Sequence, residues 1–132
     1  MEQCNGLKAY LLQFPLWGDQ PLEVDVLRAK PDGCGLFPLG LQVIARREDV
    51  LGNGVLTLRQ SFLLRRNAVA GEGAAQWLLQ LQNWLLTPPP ADLQSQFGAG
   101  LRLWAEDGRL VNTSQPGTGV YEVKIHAEYE KE

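Results

Sequence analysis

The stretch that decides the fold is GVYEVKIHAEYEKE, residues 119–132, in which apolar and polar side chains alternate. Successive side chains of a strand point to opposite faces, so this pattern predicts a long strand with one dry face and one solvated face. The predicted dry face holds Tyr121, Val123, Ile125, Ala127 and Tyr129. The predicted solvated face holds Glu122, Lys124, His126, Glu128 and Glu130.

The bulk properties of the chain limit its class. Its 132 residues and 14.7 kDa fit a single domain over residues 1–132. Twelve basic and fifteen acidic residues give a net charge of -3, which argues against nucleic acid as a main ligand. No apolar run approaches the roughly 20 residues of a membrane span, and the N-terminal stretch has no basic region typical of a signal peptide.

Two segments have the periodicity of amphipathic helices. One helical face holds Leu7, Tyr10, Leu11 and Phe14, and Pro15 is expected to end that helix. The segment GEGAAQWLLQLQNWLLTPPP, residues 71–90, predicts a second helix that ends before the proline run. The candidate core anchors on these helices and the last strand are Phe14, Trp77, Leu81, Trp84, Tyr121 and Ile125.

Alternation also predicts a short strand at residues 22–27 and a hairpin at residues 41–67. The segment KPDGCG before the hairpin reads as a loop, and Asn53-Gly54 favours a tight turn between the two arms. In the second arm Leu58, Phe62 and Leu64 share the core face, which Gln60 interrupts. That interruption indicates a bulge or an uncovered edge.

The remaining elements complete the predicted fold class. The segment ADLQSQFGAG reads as a loop, LRLWAE as a strand, and residues 106–119 as a turn and a polar loop. Strands joined by short links pair antiparallel more often than not. The sequence therefore predicts an α+β fold of two layers, with two helices packed on one face of a mostly antiparallel mixed sheet of about five strands.

The residues that usually carry chemistry are sparse. His126 lies on the polar face of the last strand, where we expect a solvated histidine instead of a catalytic one. Cys4 and Cys34 are expected to be free thiols and do not supply a zinc site. Gly71 and Gly73 before the second helix lack the lysine of a phosphate-binding loop. We therefore predict no catalytic residue, metal site or cofactor.

Charged residues supply the candidate interface. The basic pairs Arg46-Arg47 and Arg65-Arg66 are expected on opposite strands of the hairpin, away from its turn. Such pairs are usually solvated, but complementary charges at a rim also set the register between subunits. Trp17 and Trp104 fit either an interface or the core. The candidate subunit or tube interface comprises Arg46, Arg47, Asp49, Arg65, Arg66, Glu122, Lys124 and His126.

Three segments in order resemble one known family. They are YLLQFPLWGDQPLEVDVL, LTLRQSFLLRRNAVAGEGAAQWLLQLQNWLL and GVYEVKIHAEYE, respectively a helix and turn leading into a strand, a strand followed by a helix, and a closing strand. On these segments the chain resembles the tail terminator, or tail completion, proteins and the minor capsid proteins of long-tailed bacteriophages. The resemblance covers almost the whole chain, and the proline-rich segment TPPPADLQSQF departs from it.

The resemblance implies a structural protein of the virion that catalyses no reaction. Proteins of this family form a ring, commonly of six copies, that caps the tail tube and joins it to the head. The implied partners are further copies of the chain, the tail tube protein and the head-completion protein, with DNA only passing through the lumen. The implied location is the head–tail joint of the virion, after assembly in the bacterial cytoplasm from a phage or prophage gene.

Two other hypotheses remain open from the sequence. One is a small ligand- or partner-binding module of a prophage or bacterial host, which a cavity lined by Trp77, Trp84 and Trp104 would favour. The other is an enzyme, which would need a concave site that gathers Arg65 or Arg66 with His126.

Overall fold

The computed structural model describes residues 2–18, 21–27, 33–69, 73–111 and 118–131. It has the predicted α+β fold. The helices are α1 (Glu2–Leu11), α2 (Ala74–Leu85) and α3 (Ala91–Phe97). The strands are β1 (Leu22–Val24), β2 (Cys34–Glu48), β3 (Gly54–Val69), β4 (Ala99–Val111) and β5 (Thr118–Lys131).

The five strands form one mixed sheet in the order β1-β2-β3-β5-β4. β1 pairs with β2 in parallel, which corrects the antiparallel pairing expected between neighbours, and the other three pairs are antiparallel. The chain passes from β3 through α2 and α3 to β4, and β5 then fills the gap between β3 and β4. β5 is therefore a central strand with a long partner on each side.

The alternation in β5 places its apolar side chains under the helices, as predicted. Val123, Ile125 and Ala127 have no exposed surface. Rings from α1, the turn after it and α2 stack above the sheet, with the Tyr10 and Trp84 centroids 4.6 Å apart and those of Trp17 and Trp77 5.2 Å apart. The candidate anchors Phe14, Trp77, Leu81 and Ile125 are buried, and Trp84 and Tyr121 pack half-buried against this core.

The segment predicted as a loop after the proline run contains a helix, so the described residues place three helices in the layer where two were predicted. Leu93 and Phe97 of α3 are buried and lie one helical turn apart. Pro90 is the N-cap residue and Asp92 lies in the first turn, where a negative carboxylate interacts favourably with the positive end of the helix dipole. Because α3 has only seven residues, its buried apolar residues form a single pair. One pair is too few to identify a helix from the periodicity of the sequence.

The strand boundaries before the hairpin also differ from the prediction. β1 ends at Val24 because the next residue, Asp25, has a φ of 64°, which no strand accommodates. β2 begins at Cys34, inside the segment predicted as a loop. Its first residues pair with β1 on one side and with β3 on the other, so tertiary pairing overrides the turn composition of KPDGCG.

The hairpin turn is a five-residue loop at residues 49–53, and Asn53-Gly54 is not the predicted tight turn. Gly54 already pairs with Glu48 in the sheet, and the positive φ of 82° belongs to Gly52. The Asp49 carboxylate closes the loop by accepting hydrogen bonds from the backbone N–H groups of Leu51 and Asn53, each at 2.9 Å. Hydrogen bonds to the Asp49 side chain therefore close this loop, in place of the tight backbone turn that Asn53-Gly54 had predicted.

The far half of the β2–β3 hairpin extends past the helices. Leu41 and Val43 pair with Gln60 and Leu58 on the helix side of the sheet, yet they are about half exposed. β1 covers the outer edge of β2 only at Cys34–Leu36 among the described residues. The predicted irregularity lies on β2 and not at Gln60, because the register shifts fall between Pro38 and Gly40 and between Val43 and Ala45. The exposed apolar residues of this arm are Leu39, Leu41, Val43, Ile44, Val50 and Leu51.

Candidate functional site

The polar residues of β5 lie on the face of the sheet opposite the helices, which we call the open face. The sequence predicted a solvated face, but this expectation was wrong for its centre. Glu122, His126 and Glu128 are only 3%, 7% and 9% exposed. Long side chains from β3 and β4 arch over β5 from both sides, and this burial by neighbouring strands is invisible in one strand's own pattern.

Glu122 is held between two arginines of the flanking strands. Arg65 on β3 donates through Nε to Oε2 at 3.1 Å, and Arg109 on β4 donates through Nε to Oε1 at 2.7 Å. Burial opposes the charge on Glu122, but these hydrogen bonds and positive charges outweigh it, so the pKa of Glu122 lies below its usual value. Glu122 therefore remains ionised beneath its two arginines.

Glu128 repeats this arrangement six residues further along β5. Arg59 on β3 donates through Nε and Nη2 to Oε2, at 3.3 and 3.1 Å, and Arg102 on β4 donates through Nη2 to Oε1 at 2.5 Å. Burial again opposes ionisation, and the hydrogen bonds and charges of Arg59 and Arg102 again lower the pKa of Glu128. We call each buried glutamate with its two arginines a clamp. At about 3.4 Å per residue the two clamps are roughly 20 Å apart along the strand.

His126 lies between the two clamps and bridges the same strands. Its Nδ1 is 2.8 Å from the Ser61 hydroxyl on β3, and its Nε2 is 2.7 Å from Oε1 of Glu106 on β4. The Trp104 ring packs at 5.3 Å from the His126 ring. The histidine is therefore a buried polar link across three strands, and the expectation of a solvated histidine was wrong.

Ser61, His126 and Glu106 occur in the order of a nucleophile, a base and an orienting acid. The surroundings do not suit acyl transfer. Ser61 is paired to β2 and to β5, and strand N–H groups lie in the plane of the sheet, so none points to this face as an oxyanion donor. Glu106 is more than half exposed, so it is not a buried orienting acid. The arrangement satisfies the hydrogen bonding of a buried imidazole.

The eight candidate interface residues do not form one patch. Arg47, Arg65, Glu122, Lys124 and His126 share the open face, as their pairing along β3 and β5 shows. Arg46 pairs with Leu56 and therefore lies on the helix side, and Asp49 belongs to the hairpin loop. Arg66 also lies on the helix side, where its guanidinium covers the Trp77 ring at 4.4 Å.

The two basic pairs stand at opposite ends of the hairpin. Arg47 pairs with Val55 immediately beside the loop, whereas Arg65 pairs with Gly35 at the far end. The expectation that both pairs lie away from the turn was therefore wrong for Arg46-Arg47. Arg47 is bound to Glu130 at 2.9 Å on the open face, so the alternation of β2 separates it from its neighbour Arg46.

The tryptophans divide between the two sides of the sheet. Trp17 is buried in the core, and the Trp77 indole N–H donates to the Leu16 carbonyl at 2.8 Å. Trp104 lies half-buried on the open face, under the guanidinium groups of Arg59 and Arg102. Trp77, Trp84 and Trp104 therefore do not line a common cavity, which removes the geometry that would favour the ligand-binding module.

Several site residues were not identified from the sequence. Arg59, Arg102, Glu106 and Arg109 all contact β5, and Arg102, Trp104 and Glu106 alternate along β4 with strand spacing. That alternation was a usable signal. The sheet order that brings β4 beside β5 is the information that the sequence did not contain.

The remaining candidates take no part in this surface. Cys4 and Cys34 are buried and do not form a disulfide, and burial raises the pKa of Cys4. Gly73 stands before α2 with a φ of 74°, and Gly71 lies outside the described residues. Across the described ranges, no group of three His, Cys, Asp or Glu residues is placed to hold a metal ion. None of the described helices has the length and apolarity needed to cross a membrane.

The sequence was compared with protein-family models and with curated proteins. No protein-family model matches the chain, and no curated protein matches it. The functional conclusion therefore depends on the fold, the open face and the hairpin.

Proposed function

We propose that this protein is a structural subunit that assembles with further copies into a ring at the junction of a phage tail and head, as the resemblance to tail terminators implies. The observation that carries the proposal is the exposed apolar arm of the β2–β3 hairpin. Val50 and Leu51 at its end are 102% and 83% exposed, so their own chain hardly covers them. The proposal assigns the chain no reaction.

The arm has the composition of a contact surface. Isolated exposed leucines are common, but this hairpin exposes six large apolar residues in two groups, four at residues 39–44 and two in the loop. Burying one such side chain contributes on the order of 1.5–3 kcal/mol, so an assembly that covers the arm gains a substantial driving force. The outer edge of β2 beyond Leu36 adds backbone groups that can pair with another chain.

The proposed partners follow from the same role. Copies of the chain meet around the ring, one side of the ring meets the tail tube protein, and the other meets the head-completion protein. DNA passes through the lumen without being read. The chain's net charge of -3 fits such a lumen, because an acidic wall repels phosphates and does not retain them.

The test combines mass measurement with a genetic deletion. We expect light scattering to show an assembly of several copies, in solution or on isolated tail tubes, and electron microscopy to show it as a ring at the tube end. Deleting the gene from the phage should give tails of abnormal length or tails without heads. Tails of normal length joined to heads in the deletion strain would refute the proposal.

A further inference from the structure

We infer that the hairpin loop of one copy docks on the open face of the next copy, so that the copies assemble head to tail. The inference rests on the proposed ring and names the two surfaces that build it. The contact uses the hairpin loop, residues 49–53, together with Glu48, which precedes the loop at the end of β2. The part of the open face that receives the loop is formed by β3, β5 and β4, with Phe37 of β2 beside them.

The hairpin loop is acidic and apolar. Glu48 and Asp49 precede Val50 and Leu51, and all four are exposed. The backbone N–H groups of Leu51 and Asn53 donate hydrogen bonds to the Asp49 carboxylate and so constrain the loop. The bond from the Asn53 N–H contributes most to lowering the pKa of Asp49 below its usual value. A loop cross-linked by these hydrogen bonds loses less conformational entropy when it binds than an unconstrained loop does.

The open face presents cations above buried carboxylates. Among side chains that the structure describes, β3, β4 and β5 place five cations and four carboxylates on it, and Glu122 and Glu128 lie beneath the arginines. Glu130 is bound to Arg47, so among the described side chains Glu106 carries the exposed carboxylate at the centre of this face. A partner therefore meets mainly guanidinium groups.

The way in which Glu122 is bound leaves donors for such a partner. Arg65 and Arg109 both reach Glu122 through Nε, so within the described chain their terminal Nη atoms are not used by Glu122. The Arg109 side chain is 69% exposed, and that of Arg102 at the second clamp is 70% exposed. A carboxylate that approaches the face can take two parallel hydrogen bonds from such a guanidinium fork.

Apolar side chains lie among these arginines. Trp104 is half-buried, and Phe37 and Leu63 pair with each other on the same face. Tryptophan and arginine together are the residues that most often dominate binding energy at protein interfaces. The face thus offers guanidinium groups for Glu48 and Asp49, and the partly exposed surfaces of Trp104, Phe37 and Leu63 between those groups for Val50 and Leu51.

The two surfaces cannot meet within one copy. β2 and β3 stay paired, with two register shifts, from Cys34 opposite Arg66 to Glu48 opposite Gly54, so the loop is held at the far end of the paired hairpin. Two open faces that met each other would bring arginines against arginines, which disfavours a face-to-face dimer. A loop-to-face contact joins two different surfaces, and such contacts propagate into a ring when the rotation closes.

Two variants separate the surfaces. The loop variant is Glu48→Lys, Val50→Ser and Leu51→Ser, which leaves Asp49 and its hydrogen bonds in place. The face variant is Arg102→Gln with Arg109→Gln, which leaves Arg59 and Arg65 on the buried carboxylates. The control is Leu79→Ser with Leu86→Ser, because these leucines are also exposed, at 62% and 68%, but lie at α2. Thermal unfolding verifies that each variant folds.

We expect the wild type and the control to assemble, and each single-surface variant to weaken assembly by at least about tenfold in the dissociation constant. Mixing equal amounts of the loop and face variants should restore one contact and give a dimer containing one copy of each, with no larger species. Analytical ultracentrifugation measures this directly, with isolated tail tubes added if the wild type assembles only there.

The outcomes distinguish the inference from the ring itself. A wild type that forms rings while the mixture stays monomeric overturns the loop-to-face contact and leaves the ring proposal intact. A wild type that stays monomeric with and without tail tubes overturns both. Binding of a single-stranded DNA oligonucleotide that the face variant loses and the loop variant keeps, together with unchanged assembly, would assign the open face to nucleic acid and overturn the inference.

Discussion

Arg109 and Glu122 form a hydrogen bond of 2.7 Å that joins an exposed residue to a buried one. The Arg109 side chain is 69% exposed, whereas that of Glu122 is 4% exposed. Because the carboxylate has lost most of its water, it depends on the guanidinium groups for its charge. The guanidinium groups keep more of their hydrating water. The buried carboxylate therefore depends on the arginines more than the arginines depend on the carboxylate.

Glu122→Gln should destabilise the fold by about 1–3 kcal/mol, since it replaces two charge-assisted hydrogen bonds at a buried position. Urea unfolding followed by circular dichroism measures the loss. The matched control is Glu130→Gln, whose carboxylate is 41% exposed and binds the exposed Arg47. The control should change stability by less than about 0.5 kcal/mol. Equal losses in the two variants would contradict the structural role of the buried clamp.

Stability should decrease in acid in a way that depends on the two clamps. The pKa values of Glu122 and Glu128 are lowered on folding. The two ionised carboxylates therefore stabilise the fold fully at pH values above the pKa of an unfolded glutamate, about 4.3. That stabilisation is lost as the pH falls through the lower folded values. Urea midpoints should therefore change little from neutral pH to about pH 5 and decrease below it. A double Gln variant at both sites should have a flatter acid limb; an unchanged limb would contradict the assignment.

Leu81→Ala should cost about 2–5 kcal/mol because Leu81 is fully buried between α2 and the sheet. Leu79→Ala on the same helix is the control, since Leu79 is 62% exposed and its truncation should change stability by less than about 0.5 kcal/mol. Thermal and urea unfolding give both values. A similar effect at the two positions would mean that α2 packs through a different face.

Gly35→Ala should be destabilising by about 1–3 kcal/mol, because a Cβ there would lie 2.4 Å from the Val26 carbonyl oxygen, a backbone atom that cannot swing away. Gly54→Ala is the control, since a Cβ at that strand position meets nothing within 4 Å. It should be neutral or stabilising by up to about 1 kcal/mol. A neutral Gly35→Ala would show that the segment after β1 does not approach β2 as described.

The sequence predicted the layers better than the surface. The alternation of β5 and the apolar stripe of α2 each lie within one element, so period alone assigned Ile125 and Leu81 to the core. The burial of His126 depends on Ser61, 65 positions away along the chain, and on Glu106. Cross-strand neighbours are set by sheet order, which a single strand's pattern does not contain.

The misassigned segments have the same cause. Cys34 and Gly35 close the glycine-containing segment KPDGCG, which looks like a loop, but β1 and β3 supply their backbone partners from both sides. The helix α3 is too short to show more than one apolar pair, Leu93 and Phe97, and its burial against the sheet is what stabilises it. In both cases tertiary contacts outweigh a weak local signal.

The ionisable residues along β5 have a consequence for how the chain folds. If β5 paired with β3 or β4 one residue out of step, Glu122, His126 and Glu128 would turn toward Phe62 and the aromatic rings under the helices. Desolvating them there without arginines is costly, whereas an all-apolar strand would tolerate the slip. These ionisable residues therefore raise the free energy of a sheet whose β5 is shifted by one residue, and so favour the observed register.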